Sequence, residues 1–162
     1  MSADKHQRHV LVLPEDDPNR QMARGFLLDQ SVPSRRIQVL RAAGGWRKVL
    51  DSFGSDHVRE MDRYPNRFMV LLIDFDGQEN RLAYAKRVIP ERLTERVFIL
   101  GVLTEPEDLK RAGLGSYETI GQDLAKGCRE ETDGIWGHDL LRHNAGEVDR
   151  LRERVRPILF QL

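Results

Sequence analysis

Acidic side chains follow the apolar segments of this sequence at three places. Asp74 and Asp76 come directly after "VLLI", and Glu15 follows "HVLVL" with one proline between. Glu105 and Glu107 come just after "VFILGVL". Carboxylates that converge without basic partners repel one another and raise each other's pKa, unless a cation neutralises them. A set of oxygen ligands favours Mg²⁺ or Mn²⁺ over zinc, and such ions can promote phosphodiester cleavage.

The elements that would position these acids are four short apolar runs separated by segments of helical period. The runs cover residues 9–13, 37–40, 68–73 and 97–103. This alternation predicts an α/β fold, a Rossmann-like parallel sheet of about four strands flanked by helices. Beyond the fourth run the pattern is helical, over 105–112, 116–129 and 144–156. Because ligands bind beyond the carboxyl ends of such strands, the three acidic clusters are expected at one edge.

Two local patterns sharpen this expectation. Alternation along an extended segment predicts that Asp74 and Asp76 point to the same side, with Phe75 opposite. Asp17 before Pro18 predicts a helix N-cap at Asp17. Acidic residues that follow strands can also serve only to cap the next helix. A non-catalytic α/β subunit is therefore an alternative.

Composition indicates a globular, intracellular protein. The chain has 162 residues, 40% hydrophobic and 32% charged, with 26 basic and 26 acidic side chains. A zero net charge means that any nucleic-acid contact depends on a local patch or a metal bridge. The one cysteine, Cys128, excludes an internal disulfide and is expected to be a small core residue. No apolar run approaches the roughly 20 residues of a membrane helix, so no membrane partner is expected and the predicted location is the cytoplasm.

These motifs resemble the Toprim fold family, in particular the overcoming-lysogenization-defect-type nucleases. That family has a glutamate after its first strand, here Glu15, and a D-x-D after its third, here Asp74 and Asp76. Glycines after the second strand, here Gly44 and Gly45, are also common in it. The resemblance covers residues from about 9 to 110. The chain is expected to form a single domain over 1–162, in which residues from about 111 to 162 form a helical extension.

The resemblance implies a magnesium-dependent nuclease, or a nuclease-complex subunit, that cleaves DNA or RNA. Glu15, Asp74 and Asp76 would be catalytic and would hold Mg²⁺ or Mn²⁺, and Glu105 or Glu107 would support a second ion. Related nucleases often act with an ATPase in defence against phage or plasmids. No P-loop motif occurs in this sequence, so an ATPase would be a separate chain. The sequence is also compatible with a homo-oligomer.

The rival interpretation is a resemblance to the receiver domain of two-component signalling. Asp74 would then accept a phosphoryl group, Thr104 would be the switch residue, and Asp16 and Asp17 would bind Mg²⁺. Two features argue against it. The separation between the acidic pair and Asp74 is long for a receiver, and a fifth strand ending in lysine is missing, since Lys126 lies in a helical pattern.

Two further groups of residues have both a functional and a structural interpretation. In "GIWGHDLLRHN", His138 or His143 could act as a general base or contact phosphate, or Trp136 could simply anchor the packing of polar helix ends. The basic residues near the acidic edge could contact phosphates or be solvated; they are Arg20, Arg47, Lys48, Arg81, Lys86 and Arg87.

Overall fold

A four-stranded, all-parallel sheet forms the centre of the protein. A computed structural model describes residues 2–160 of the chain. The strands are β1 (His9–Pro14), β2 (Ile37–Val39), β3 (Arg67–Leu72) and β4 (Val97–Leu100). They lie in the order β2-β1-β3-β4, with Val12 paired to Val39 on one side and to Val70 on the other. The predicted α/β fold class is therefore confirmed.

Helices connect the strands and make up the C-terminal part of the chain. The α-helices of residues 2–160 are α1 (Asp17–Leu27), α2 (Trp46–Ser52), α3 (Val58–Arg63), α4 (Arg81–Val88), α5 (Pro106–Arg111), α6 (Tyr117–Glu130), α7 (Ala145–Arg154) and α8 (Arg156–Leu159). A π-helical turn, Phe53–His57, joins α2 to α3. The three helices predicted after the fourth strand correspond to α5, α6 and α7. The predicted helical extension is thus confirmed. In this described part of the chain, no helix is long and apolar enough to cross a membrane.

Both faces of the sheet are buried, as continuous apolar strands predict. One face, with Val10, Val70 and Phe98, packs against α1, α6 and α7. The other, with Leu71 and Ile99, packs against α2, α3 and α4. The acids at the ends of these strands are therefore attached to a rigid, close-packed support.

Helices α1 and α6 approach closely because glycines face each other across their contact. A Cβ added at Gly121 would lie 2.0 Å from the carbonyl oxygen of Met22, and one at Gly25 would lie 2.2 Å from that of Glu118. Cys128 on α6 is fully buried, and burial raises the pKa of its thiol to about 11. The prediction that this cysteine is a core residue is confirmed.

The outer edge of β4 is covered by side chains rather than by a fifth strand in the described residues. The carboxylate of Glu147 on α7 accepts a hydrogen bond from the Ile99 N–H at 2.9 Å. Asn144 accepts one from the Gly101 N–H at 3.2 Å and donates one to the Gly101 oxygen at 2.9 Å. Glu147 is 4% exposed and is neutralised by Arg150 at 3.0 Å. The backbone groups of this edge are thus satisfied without another strand.

Candidate metal centre

Three carboxylates from two neighbouring strands converge at the carboxyl edge of the sheet. Glu15 and Asp16 follow β1, Asp74 follows β3, and each offers one ligand oxygen within 4.8 Å of the others. Glu15 is 9% exposed and Asp74 6% exposed, whereas Asp16 is half-buried. We call Glu15, Asp16 and Asp74 the acidic triad. It lies at the edge where the sequence predicted a site.

Asp16 is fixed in this position because it caps helix α1. Its Oδ1 accepts hydrogen bonds from the Asn19 backbone N–H at 3.1 Å and from Asn19 Nδ2 at 2.8 Å. Asn19 Nδ2 also donates to Asp74 Oδ1 at 2.9 Å. Asn19 is 1% exposed, so a buried amide bridges two members of the acidic triad. Asn19 was not predicted from the sequence; an aspartate three residues before it, at the start of a helix, was the available signal.

The prediction that Asp17 caps α1 is wrong by one residue. The helix begins at Asp17, so Pro18 occupies its second position, where a missing N–H is also tolerated. Asp16 has the extended backbone of an N-cap, at φ −146°. The Asp17 side chain instead pairs with Arg20 at 2.7 Å on the surface.

Hydrogen bonds to both the side chain and the backbone of Glu15 hold it in place. Its Oε2 accepts a hydrogen bond from the Asp74 N–H at 2.5 Å, which ties the end of β1 to the end of β3. Its carbonyl oxygen accepts from the N–H groups of Gly44 and Gly45 at 2.8 and 3.2 Å. Those residues have φ values of +98° and +155°, which glycine adopts readily. The glycine pair noted in the sequence thus brings the connection after β2 against Glu15.

Asp76 lies outside the acidic triad, although its charge acts on both Glu15 and Asp74. The backbone turns into the left-handed region at Asp76, at φ +48°, which ends the alternation. Its carboxylate is half-exposed and pairs with Arg81 at 2.6 Å, while Arg81 also donates to the Asp74 carbonyl oxygen at 2.7 Å. Phe75 is buried at 3% exposure, as an apolar spacer should be.

Glu105 and Glu107 lie outside the acidic triad, at the start of α5. Glu105 is the residue before the helix and lies 3.6 Å from Arg111. Glu107 is in the first turn, where a negative charge is favourable. Thr104, at the end of the β4 connection, donates its hydroxyl hydrogen to Asp108 at 2.6 Å. These contacts fit the helix-end alternative considered for the acids after the fourth strand.

The acidic triad is electrostatically strained in the absence of a cation. Burial raises the pKa of Asp74 to about 8; the Asn19 hydrogen bond opposes this, and the charges of Glu15, Asp16 and Asp76 add to it. Burial likewise raises the pKa of Glu15. Three carboxylate oxygens within reach of one ion form the hard oxygen donor set that suits Mg²⁺ or Mn²⁺. The residues present therefore fit a divalent cation.

The segment with His138 and His143 packs against residues next to the acidic triad. The Nε2–H group of His143 donates to the Gly101 carbonyl oxygen at 2.8 Å, and its ring meets Phe75 edge-on with centroids 5.1 Å apart. His138 accepts a hydrogen bond from a backbone N–H within its own turn. Trp136 is buried and donates its indole N–H to the backbone of α6. Trp136 is therefore a packing anchor, as the structural interpretation predicted.

No family model matches this sequence. No curated protein or solved structure matches it either. The function of the acidic triad therefore has to follow from its own geometry and from the residues around it.

Proposed function

We propose that this protein is a Mg²⁺- or Mn²⁺-dependent phosphodiesterase that cleaves nucleic acid. The observation that supports this most is the acidic triad itself, in which Glu15, Asp16 and Asp74 place ligand oxygens within 4.8 Å of one another. Oxygen-only clusters of this kind hold divalent cations, and phosphate oxygens complete the coordination of such cations in many phosphoryl-transfer sites.

The surrounding residues have defined roles in this proposal. Asn19 fixes the orientation of the Asp16 and Asp74 carboxylates through its amide hydrogens. Arg81 pairs with Asp76 and supplies positive charge beside the triad. A bound cation supplies Lewis-acid stabilisation of phosphate charge and a lower pKa for a water molecule.

The resemblance to Toprim nucleases supports the proposal through Glu15 and Asp74. It differs at Asp76, which that family uses as a ligand and which pairs with Arg81 here. We accordingly propose a centre for one cation, with Asp16 in the place of the third carboxylate. A separate ATPase chain and a role in defence against phage or plasmids are parts of the same proposal that the resemblance alone suggests.

Cleavage assays with the purified chain test the proposal. We expect single- or double-stranded DNA or RNA to be cut with Mg²⁺ or Mn²⁺ and left intact with a chelator. Asp74→Asn and Glu15→Gln should each lower the rate about 100-fold, since each replaces a charged carboxylate ligand with a weaker, neutral amide. Asp62→Asn, a surface carboxylate paired with Arg92, is the matched control and should cleave normally.

The result that contradicts this function is also specific. Calorimetry that detects no Mn²⁺ binding to the wild-type chain, or equal binding to Asp74→Asn, would refute the metal centre. Binding of Mn²⁺ without cleavage of any nucleic acid would keep the centre and refute the nuclease.

A second candidate, a phosphoacceptor at Asp74, is favoured by one specific observation. The strand order β2-β1-β3-β4 is the first part of the 2-1-3-4-5 order of receiver-type sheets, and Asp16 joins Asp74 in the acidic triad. Incubation with acetyl phosphate and Mg²⁺, followed by intact mass measurement, distinguishes the two functions. One added phosphoryl group that is absent in Asp74→Asn would favour the phosphoacceptor, whereas an unchanged mass would favour the phosphodiesterase.

A further inference from the structure

Aromatic and cationic side chains gather next to the acidic triad, on α2 and α4. We call this group the stacking patch, and its members are Trp46, Arg47, Lys48, Arg81 and Tyr84. Tyr84 is 43% exposed, one of the few large apolar side chains on the surface of the described residues. Tyr84 lies against Trp46, and two arginines lie over the Trp46 ring, so exposed aromatic surface and positive charge occur together here.

The rings of the stacking patch are organised by contacts with one another and with arginines. Trp46 and Tyr84 meet edge-on, with ring centroids 5.6 Å apart and an angle of 79° between the planes. The Arg81 guanidinium lies 4.3 Å from the Trp46 ring centre, and the Arg47 guanidinium lies 5.0 Å from it. Arg81 is only 11% exposed, so it forms a fixed support under the indole.

Two backbone links place the stacking patch beside the acidic triad. Arg81 donates to the carbonyl oxygen of Asp74 at 2.7 Å while it stacks on Trp46. Gly45, the neighbour of Trp46 in the chain, donates its N–H to the carbonyl oxygen of Glu15 at 3.2 Å. The stacking patch and the acidic triad are thus joined directly, through Arg81 and through Gly45.

The charges of the stacking patch complement an anion. Arg47 and Lys48 are both exposed, and neither has a carboxylate partner in the part of the chain that the structure describes. Unpaired cations next to aromatic rings are the combination by which proteins bind single-stranded nucleic acid, phosphates on the cations and bases on the rings.

We propose that the stacking patch binds the unpaired bases of a single-stranded nucleic acid and presents its backbone to the acidic triad. A base would stack against Tyr84 and the exposed side of Trp46, and the flanking phosphates would contact Arg47 and Lys48. A duplex keeps its bases in its own stack, so it cannot make the aromatic contacts. This inference rests on the proposed function, because the strand held by the patch would be cleaved at the triad. Binding to the patch itself needs no cation.

The test is therefore binding in the presence of a chelator, where cleavage cannot occur. Fluorescence anisotropy would be measured with labelled oligo-deoxythymidine, oligo-uridine and a duplex of mixed sequence. We expect either single strand to bind more tightly than the duplex. Tyr84→Ala should weaken single-strand binding about 5- to 100-fold, the effect of losing one stacked base, while Tyr84→Phe should retain it.

Charge substitutions supply a second readout. Arg47→Gln and Lys48→Gln should each reduce the slope of log affinity against log salt by about 0.7, the value for one phosphate contact on a single strand. The matched controls are Tyr64→Ala and Arg63→Gln. Tyr64 also has arginines over its ring, Arg63 at 5.4 Å and Arg67 at 5.1 Å, but it precedes β3 at the opposite end of the sheet.

Each outcome decides the inference. Tighter binding of the duplex, or equal losses in Tyr84→Ala and Tyr64→Ala, would overturn it. A loss confined to the patch variants would support it, provided that circular dichroism shows them folded, which the exposure of Tyr84 favours. Single-strand binding without Mn²⁺ binding would refute the proposed function alone, and Mn²⁺ binding without single-strand binding would refute only this inference.

Discussion

Replacing Asp74 with asparagine should make the cation-free protein more stable at high pH. The pKa of Asp74 is raised from 3.8 to about 8, chiefly by burial. The folded state therefore keeps this proton over a pH range in which the unfolded state has lost it. Stability must fall as pH rises through that window, between the unfolded and the folded pKa. Asparagine cannot ionise, and its Oδ1 can still accept the hydrogen bond from Asn19.

The size of this effect on the free energy of unfolding follows from the shift in the pKa of Asp74. Each pKa unit corresponds to 1.36 kcal/mol, so the full shift sets a ceiling of about 5–6 kcal/mol. Asp74 lies at the mouth of the sheet edge beside half-buried Asp16, where solvent screens part of the charge. We therefore expect Asp74→Asn to gain about 2 kcal/mol in the free energy of unfolding above about pH 8, and less as the pH falls towards 5.

Urea denaturation in chelator at several pH values, from about 5 to about 9, measures this difference. Asp62→Asn is the control, because the hydrogen bond with Arg92 lowers the pKa of Asp62 and its contribution is lost only at acidic pH. Mn²⁺ at 100 times its dissociation constant should then stabilise the wild type by about 2.7 kcal/mol and leave Asp74→Asn unchanged. A gap between Asp74→Asn and wild type that does not change with pH would refute the reasoning about burial of this charge.

Three further predictions concern the scaffold. Gly101→Ala should prevent folding or cost more than about 3 kcal/mol, because a Cβ would lie 1.6 Å from the Ile73 carbonyl oxygen; Gly54→Ala, with open space around it, is the control in a thermal melt. Glu147→Ala should cost about 3 kcal/mol in urea denaturation, since it leaves a β4 N–H and two cations without their buried partner. The Cys128 thiol should react with a disulfide reagent only as fast as the protein unfolds, because it is fully buried and burial raises its pKa.

The sheet could be predicted from the sequence because its strands are buried on both faces. Continuous apolar runs such as that of β3 have few other structures open to them, and the segments between them have a clear helical period. The register could not be predicted, nor could the end of β4. That run was read to residue 103, but the strand ends at Leu100, where Gly101 packs against the carbonyl of Ile73.

The sequence predicted those residues of the candidate site that directly follow a strand. Glu15 and Asp74 follow neighbouring parallel strands, so topology alone brings them together. The third carboxylate, Asp16, was named only in the receiver interpretation, whereas the Toprim resemblance named Asp76. The choice between them depends on one φ angle at Asp76 and on which of two aspartates caps α1. Both are local backbone choices that a difference of about 1 kcal/mol can decide.

The edge of β4 bears on the choice between the two proposed chemistries. In a 2-1-3-4-5 sheet a fifth strand would lie against β4, and a receiver takes its conserved lysine from the end of that strand. Here Asn144 and Glu147 of the C-terminal extension satisfy the N–H groups of β4 and its continuation, so a fifth strand has no free edge to pair with. Arg81 supplies positive charge at the carboxyl edge instead, and it is anchored to Asp76 and to the backbone of Asp74. A positive charge fixed beside the triad and stacked on an aromatic ring suits the retention of a phosphate ester. Together with the occupied edge of β4, this favours the proposed phosphodiesterase over the phosphoacceptor.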